Sequence, residues 1–187
     1  MLKKIVLLVV MFVAPAILAQ ETDVKHIFVG AKTCGMCHKS EKQGKQLDIW
    51  KTSAHSKAYE TLKTAEADSI AKAKGLSTNA ILSEACLKCH VSGYNINANL
   101  KSEKFNMEDG VQCETCHGAG SDYKSTKIMK DEKQAVANGL KLFNTEEERV
   151  ALCKGCHNSE SPTFDTCKTD FAKMWIKIKH DIPKDIK

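Results

Sequence analysis

The chain has 187 residues, with 28 Lys and Arg against 23 Asp and Glu, for a formal net charge of +5. The lysines are scattered along it rather than gathered in one patch, so neither a nucleic-acid partner nor a local docking surface is indicated. Few aromatics, at 6%, and only three Pro suit a chain of short helices, and no sustained period-two apolar alternation argues for strands.

In chain order, Lys3 and Lys4 precede an apolar run from Ile5 to Leu18, with small residues at Ala16 and Ala19 before Gln20-Glu21-Thr22-Asp23. This pattern predicts a secretory signal peptide over 1–19 and one domain over 20–187. The run is short for a membrane span, which needs about 20 apolar residues, and no cysteine nearby offers a lipid anchor. Cys34-Gly-Met-Cys37-His38 follows. From Glu41 to Lys74 the spacing of Leu47, Trp50, Ala54, Ala58 and Leu62 predicts a helix with one buried face, stopped by Gly75. Cys86-Leu-Lys-Cys89-His90 comes next, then a turn-rich stretch to Asp109. Cys113-Glu-Thr-Cys116-His117 is followed by Gly118-Ala-Gly120 and a predicted helix over Lys130 to Leu140. Thr145-Glu-Glu-Glu148 reads as a capping box for a helix that runs into Cys153-Lys-Gly-Cys156-His157. A last helix, Phe171 to His180, carries Phe171, Met174, Trp175 and Ile178 on one face before Pro183.

Four Cys-x-x-Cys-His motifs therefore use eight of the nine cysteines. Each is the attachment signature of a c-type haem: two sulfurs bond to the porphyrin, and the adjacent His is the proximal iron ligand. A zinc site would pair the Cys units and leave several His redundant. A disulfide framework would place no His at all. The pattern thus predicts four covalent haem c groups, on Cys34 and Cys37, Cys86 and Cys89, Cys113 and Cys116, Cys153 and Cys156, with His38, His90, His117 and His157 proximal. Cleavage after Ala19 leaves about 42 residues per haem, too few for a separate core. The expected fold is mostly α, with helices wrapped around four closely packed haems. Loss of Lys3 and Lys4 and gain of the propionates bring the holoprotein near neutral or mildly acidic. Attachment outside the bacterial cytoplasm agrees with export.

The sixth iron position decides between carrier and reactive centre. Three histidines lie outside the motifs: His26, His55 and His180. His55 sits in an Ala-rich helix whose small neighbours admit a porphyrin, and reads as a distal ligand rather than a solvated side chain. His180 closes the apolar last helix and reads the same way, against a His that merely complements the helix dipole. His26 adjoins the N-terminal run, where segments are often mobile, and is a weaker candidate. Met129, after the Gly118–Tyr123 segment, is a candidate against the reading of a plain core Met. Cys167 reads as a free thiol.

The chain resembles the tetrahaem cytochrome c-554 family, periplasmic electron acceptors of hydroxylamine oxidoreductase in ammonia oxidisers. The resemblance lies in Trp50-Lys-Thr-Ser-Ala-His55-Ser-Lys-Ala58, in Cys89-His90-Val-Ser-Gly-Tyr94, and in Gly110-Val-Gln-Cys113-Glu-Thr-Cys116-His117-Gly-Ala-Gly120. It extends to Ser159-Glu-Ser-Pro162 and the terminal helix. It implies closely stacked haem pairs, His55 distal to the haem on His157, His180 distal to the haem on His117, and an open haem on His90. Family members carry a further His after the third motif, distal to the first haem. Here that stretch, Ser121 to Met129, holds none, and the replacements in order are Met129, His26, Tyr123 or an open position.

The function read from the sequence is electron transfer between redox proteins in the periplasm, with no nucleic acid and with membranes met only through partner complexes. No nucleophile–base pair, phosphate loop or carboxylate dyad suggests other catalysis. Two alternatives stand beside it: reduction of a small N-oxide such as nitric oxide at the open haem, and a haem-stacked filament joined through His26.

Overall fold

A computed structural model describes residues 26–162, 164 and 170–183. The N-terminal run read as a signal peptide and Cys167 lie outside these residues. Ten short α-helices follow one another: α1 (Ala31–Gly35), α2 (Gln46–Thr52), α3 (Ala58–Thr61), α4 (Ala65–Ala73), α5 (Glu84–His90), α6 (Cys113–His117), α7 (Thr126–Met129), α8 (Glu132–Ala137), α9 (Glu146–Lys154) and α10 (Phe171–Ile178). Among the described residues there is no strand, only one isolated parallel bridge between Phe28 and Lys101. The fold is mostly α, as the sequence predicts.

Side-chain caps start several of the helices. Thr64 accepts from the Ala67 N–H, Ser125 from Ile128, Asp131 from Gln134 and Asp170 from Lys173. Thr145 and Glu148 form the predicted capping box at α9. Gly75, just past α4, takes the left-handed φ of +71° expected of a helix stop.

The single helix expected over 41–74 is instead broken into α2, a 3₁₀ turn over His55–Lys57, α3 and α4. Ser53 turns the chain out of helix with ψ 159°. The cause is a tertiary demand. The Trp50 indole donates to the Val111 carbonyl at 2.8 Å, and the Val111 N–H donates to the His55 carbonyl at 3.0 Å. On a continuous helix, residues five apart point about 140° away from each other, so Trp50 and His55 could not both serve Val111. The helix expected at 130–140 is present as the shorter α8, and α10 ends at Ile178 rather than at His180.

The apolar packing is modest. Leu62, Ala67, Ala71 and Ala80 form a buried cluster with Leu76, Ile81, Cys86 and Leu87 against it, which seats α5 on α4. The N-terminal segment is tied on as a strap. Phe28 exchanges backbone bonds with Leu100 and Ser102, both at 2.8 Å, and its ring meets Phe105 edge-on.

Beneath that strap lies Glu114, a carboxylate only 2% exposed. One of its oxygens accepts from the N–H groups of Val29 and Gly120, each at 2.7 Å, and the other from Gly30 at 2.8 Å. Gln112, equally buried, accepts from the Ala31 N–H at 2.8 Å and donates to the Asn106 carbonyl. A buried carboxylate needs such donors, because its desolvation is otherwise uncompensated. Glu114→Gln turns an acceptor into a donor facing a backbone N–H and is expected to cost roughly 2 kcal/mol. Denaturant unfolding of the holoprotein, followed by circular dichroism and Soret absorbance, measures it.

Candidate haem-binding site

Each of the four motifs lies in or at the end of a short helix: α1 for Cys34, α5 for Cys86 to His90, α6 for Cys113 to His117, and α9 for Cys153. A helical turn sets both cysteines and the His on neighbouring positions of one face, as attachment to a single porphyrin requires. Their backbones close the turn locally: the His38 N–H donates to the Cys34 carbonyl at 3.0 Å, and His157 to Cys153 at 2.8 Å.

The motifs converge in space, but not in chain order. Cys34 and Cys113 lie against each other; the Cys113 thiol and burial push the Cys34 thiol well up, while Cys34 holds Cys113 down. Cys89 lies against Cys156, whose thiol burial and that neighbour push up to about 12. Cys116 is pushed up to about 11, by burial and then by Cys153 beside it. His38 stands within electrostatic reach of His117. The spatial order is therefore first, third, fourth, second. Among the described residues no three His, Cys, Asp or Glu side chains form a metal-ion cage.

Two of the three non-motif histidines face a motif His. The His55 and His157 rings have centroids 6.2 Å apart, and the His117 and His180 rings 5.8 Å apart. An imidazole nitrogen binds a first-row transition metal at about 2 Å, so two rings sharing one metal from opposite sides have centroids about 6 Å apart. Both pairs have that spacing. Burial pushes His55, His117 and His157 below the ordinary imidazole range, and in His55 the nearby His157 adds to it. A neutral imidazole is the form that binds a metal.

Three of the Nδ1 atoms are occupied by carbonyls as well. His90 Nδ1 meets the Ala58 carbonyl at 2.7 Å, His117 Nδ1 the Lys141 carbonyl at 3.2 Å, and His180 Nδ1 the Ile178 carbonyl at 2.8 Å. A carbonyl on Nδ1 fixes the tautomer that leaves Nε2 as the electron-pair donor.

The remaining candidates have other surroundings. Tyr123 is buried, and burial raises its phenol so that it stays protonated and donates to the Gly118 carbonyl at 2.7 Å. Met129 is half-buried at the end of α7. His26, expected to be loosely held, is instead bound through Nδ1 to Asp122 at 2.6 Å.

Several residues have positioning roles that the sequence pattern does not assign. Gly110 is one: its φ is +74°, and a Cβ there would lie 2.6 Å from the His55 carbonyl oxygen. Glu114, Asp122 and Gly139 are others, because Glu114 reaches Val29 and Gly30, and Asp122 and Gly139 reach His26, all far along the chain.

A family model for cytochrome c554 and c-prime matches residues 33–118. Cytochrome c-554 of Nitrosomonas europaea is 35% identical over 161 residues, covering 81% of this chain and 66% of that protein. The chain belongs to the cytochrome c-554 family. The matched stretch falls just under two thirds of the relative's own length. No solved structure matches the chain. Membership in the family brings covalently bound haem c, and the residues fit that group: paired sulfurs on helical turns, an adjacent His with Nδ1 held, and opposed rings at single-metal spacing.

Gly110→Ala is expected to push the 55–57 turn away from the loop before the third motif. Its ferric spectrum should lose low-spin intensity relative to the parent, while the bound haem per chain stays the same by pyridine haemochrome assay.

Proposed function

We propose that this protein is an exported tetrahaem c-type cytochrome that carries electrons between two redox proteins of the periplasm. The observation that carries the reading is the convergence of all four motifs, first beside third, third beside fourth and fourth beside second, through their own cysteines. When bound, haem c supplies the one-electron chemistry, and the chain supplies position, ligation and electrostatics.

Under this reading each residue has a defined task. The eight motif sulfurs fix four porphyrins at distances set by the helical turns. His38, His90, His117 and His157 hold the irons on one side. His55 closes the site of His157 and His180 closes that of His117, so these two centres have no free position and stay low-spin in both oxidation states. The carbonyls of Ala58, Lys141 and Ile178 hold the imidazoles in the metal-binding tautomer. The described residues contain no helix long and apolar enough to cross a membrane.

A second reading concerns the haem on His90. His55 and His180 face other motif histidines, and His26 is anchored beside the third motif. No non-motif histidine is left for His90, and that supports an open iron able to bind a small N-oxide such as nitric oxide. A filament joined through His26 is disfavoured by the bond of that residue to Asp122 of its own chain.

Intact-mass analysis of the protein purified from the periplasm is expected to give the chain from residue 20 plus four haem masses. Fewer haems would overturn the reading. Ferric electron paramagnetic resonance before and after nitric oxide separates the two functions: a high-spin iron that disappears on nitric oxide supports the open centre. His90→Met should make that iron weakly held and lower the nitric-oxide-sensitive fraction by more than half.

A further inference from the structure

We infer that His26 is the distal ligand of the haem on His38, held in that role by Asp122. The inference rests on the tetrahaem reading above and names the residue that completes one of its sites.

The first observation is the anchoring of His26. Its Nδ1 lies 2.6 Å from an Asp122 carboxylate oxygen, and the same carboxylate accepts from the Ser121 hydroxyl at 2.8 Å. The adjoining backbone is fastened twice to the same segment: the Ile27 N–H donates to the Ser121 hydroxyl at 2.9 Å, and the Ser121 N–H donates to the Ile27 carbonyl at 3.1 Å. Three bonds on two consecutive residues fix the ring although it lies early in the chain.

The second observation is what the ring has free. With Nδ1–H given to Asp122, Nε2 carries the lone pair. A Cβ at Gly139 would lie 3.0 Å from Nε2 and 3.2 Å from both Cδ2 and Cε1. Those near-equal distances put Gly139 over the face of the ring, so its backbone orients the plane. His90, His117 and His180 also have Nδ1 occupied by an oxygen. His26 shares their arrangement, with a carboxylate in place of a carbonyl.

The third observation decides which iron. His26 is anchored on the loop that leaves the third motif, and the Gly139 carbonyl packs on Gly118 of the same loop. The third motif neighbours the first, through Cys34 with Cys113 and His38 with His117. His90 lies at the other end, beside Ala58 and the fourth motif. Of the first- and third-motif histidines, His117 already faces His180. His38 is the one that lacks a partner. Met129, ranked first from sequence, has no comparable anchoring and gives way to His26.

A carboxylate on Nδ1 makes the imidazole a stronger donor than a carbonyl does, and a stronger donor favours ferric iron. Asp122 is thus a positioning residue that also lowers the potential of that haem.

The test is ferric electron paramagnetic resonance on the four-haem protein with His26→Gly, His55→Gly and His180→Gly made separately. His26→Gly should convert one low-spin iron to high-spin, added imidazole should restore it, and Asp122→Asn should raise one midpoint potential while every iron stays in its spin state. If His26→Gly leaves the spin-state ratio unchanged while the other two variants each convert one iron, His26 is not a ligand and the tetrahaem reading stands. If none of the three changes the ratio, the ligand pairs of that reading fail as well. Should His26→Gly not accumulate, His26→Met serves: a ligand role predicts a low-spin His–Met iron with a raised potential, and no change in either quantity overturns it.

Discussion

A carboxylate with no cationic partner holds this fold together. Glu114 sits inside the third motif, between Cys113 and Cys116, and its two oxygens collect backbone N–H groups from Val29, Gly30 and Gly120. The strap that leads to the first motif and the glycine loop that leaves the third are therefore fixed to one side chain. Gln112 repeats the device two residues earlier, receiving Ala31 at the start of α1. In a chain with so little apolar core, registry between motifs is carried by hydrogen bonds aimed at buried polar groups. Such bonds are strong when charged and costly when broken.

The local features were legible in the sequence where the chemistry is local. The four Cys-x-x-Cys-His motifs, the Thr145–Glu148 capping box and the stop at Gly75 each depend on residues a few positions apart, and each lies where the pattern puts it. The break at Ser53 did not follow from the pattern, because it answers to Val111 some sixty residues on. Periodicity correctly marked Trp50 and Leu62 as inward-facing, yet the faces belong to separate helices. His26 was undervalued for the same reason. Its position near an end argues for mobility, and only the partner Asp122, far along the chain, reverses that.

The histidines divide by what supports them. Those with a carbonyl on Nδ1 take their orientation from the main chain, so that backbone geometry and ligand geometry cannot vary independently. His26 takes its orientation from a side chain. A single replacement at Asp122 can change the electronic character of that ligand without moving the main chain, which makes this site the most adjustable of the set.

The mismatch between chain order and spatial order has a consequence for maturation. The first and second motifs precede the others in the chain, yet their spatial neighbours are the third and the fourth. The first pair of cysteines therefore has to wait for Cys113 and Glu114 before its surroundings exist, and the second has to wait for Cys156. Contacts of such long sequence separation form late and slowly. The surroundings of the early motifs are thus completed only by segments far along the chain.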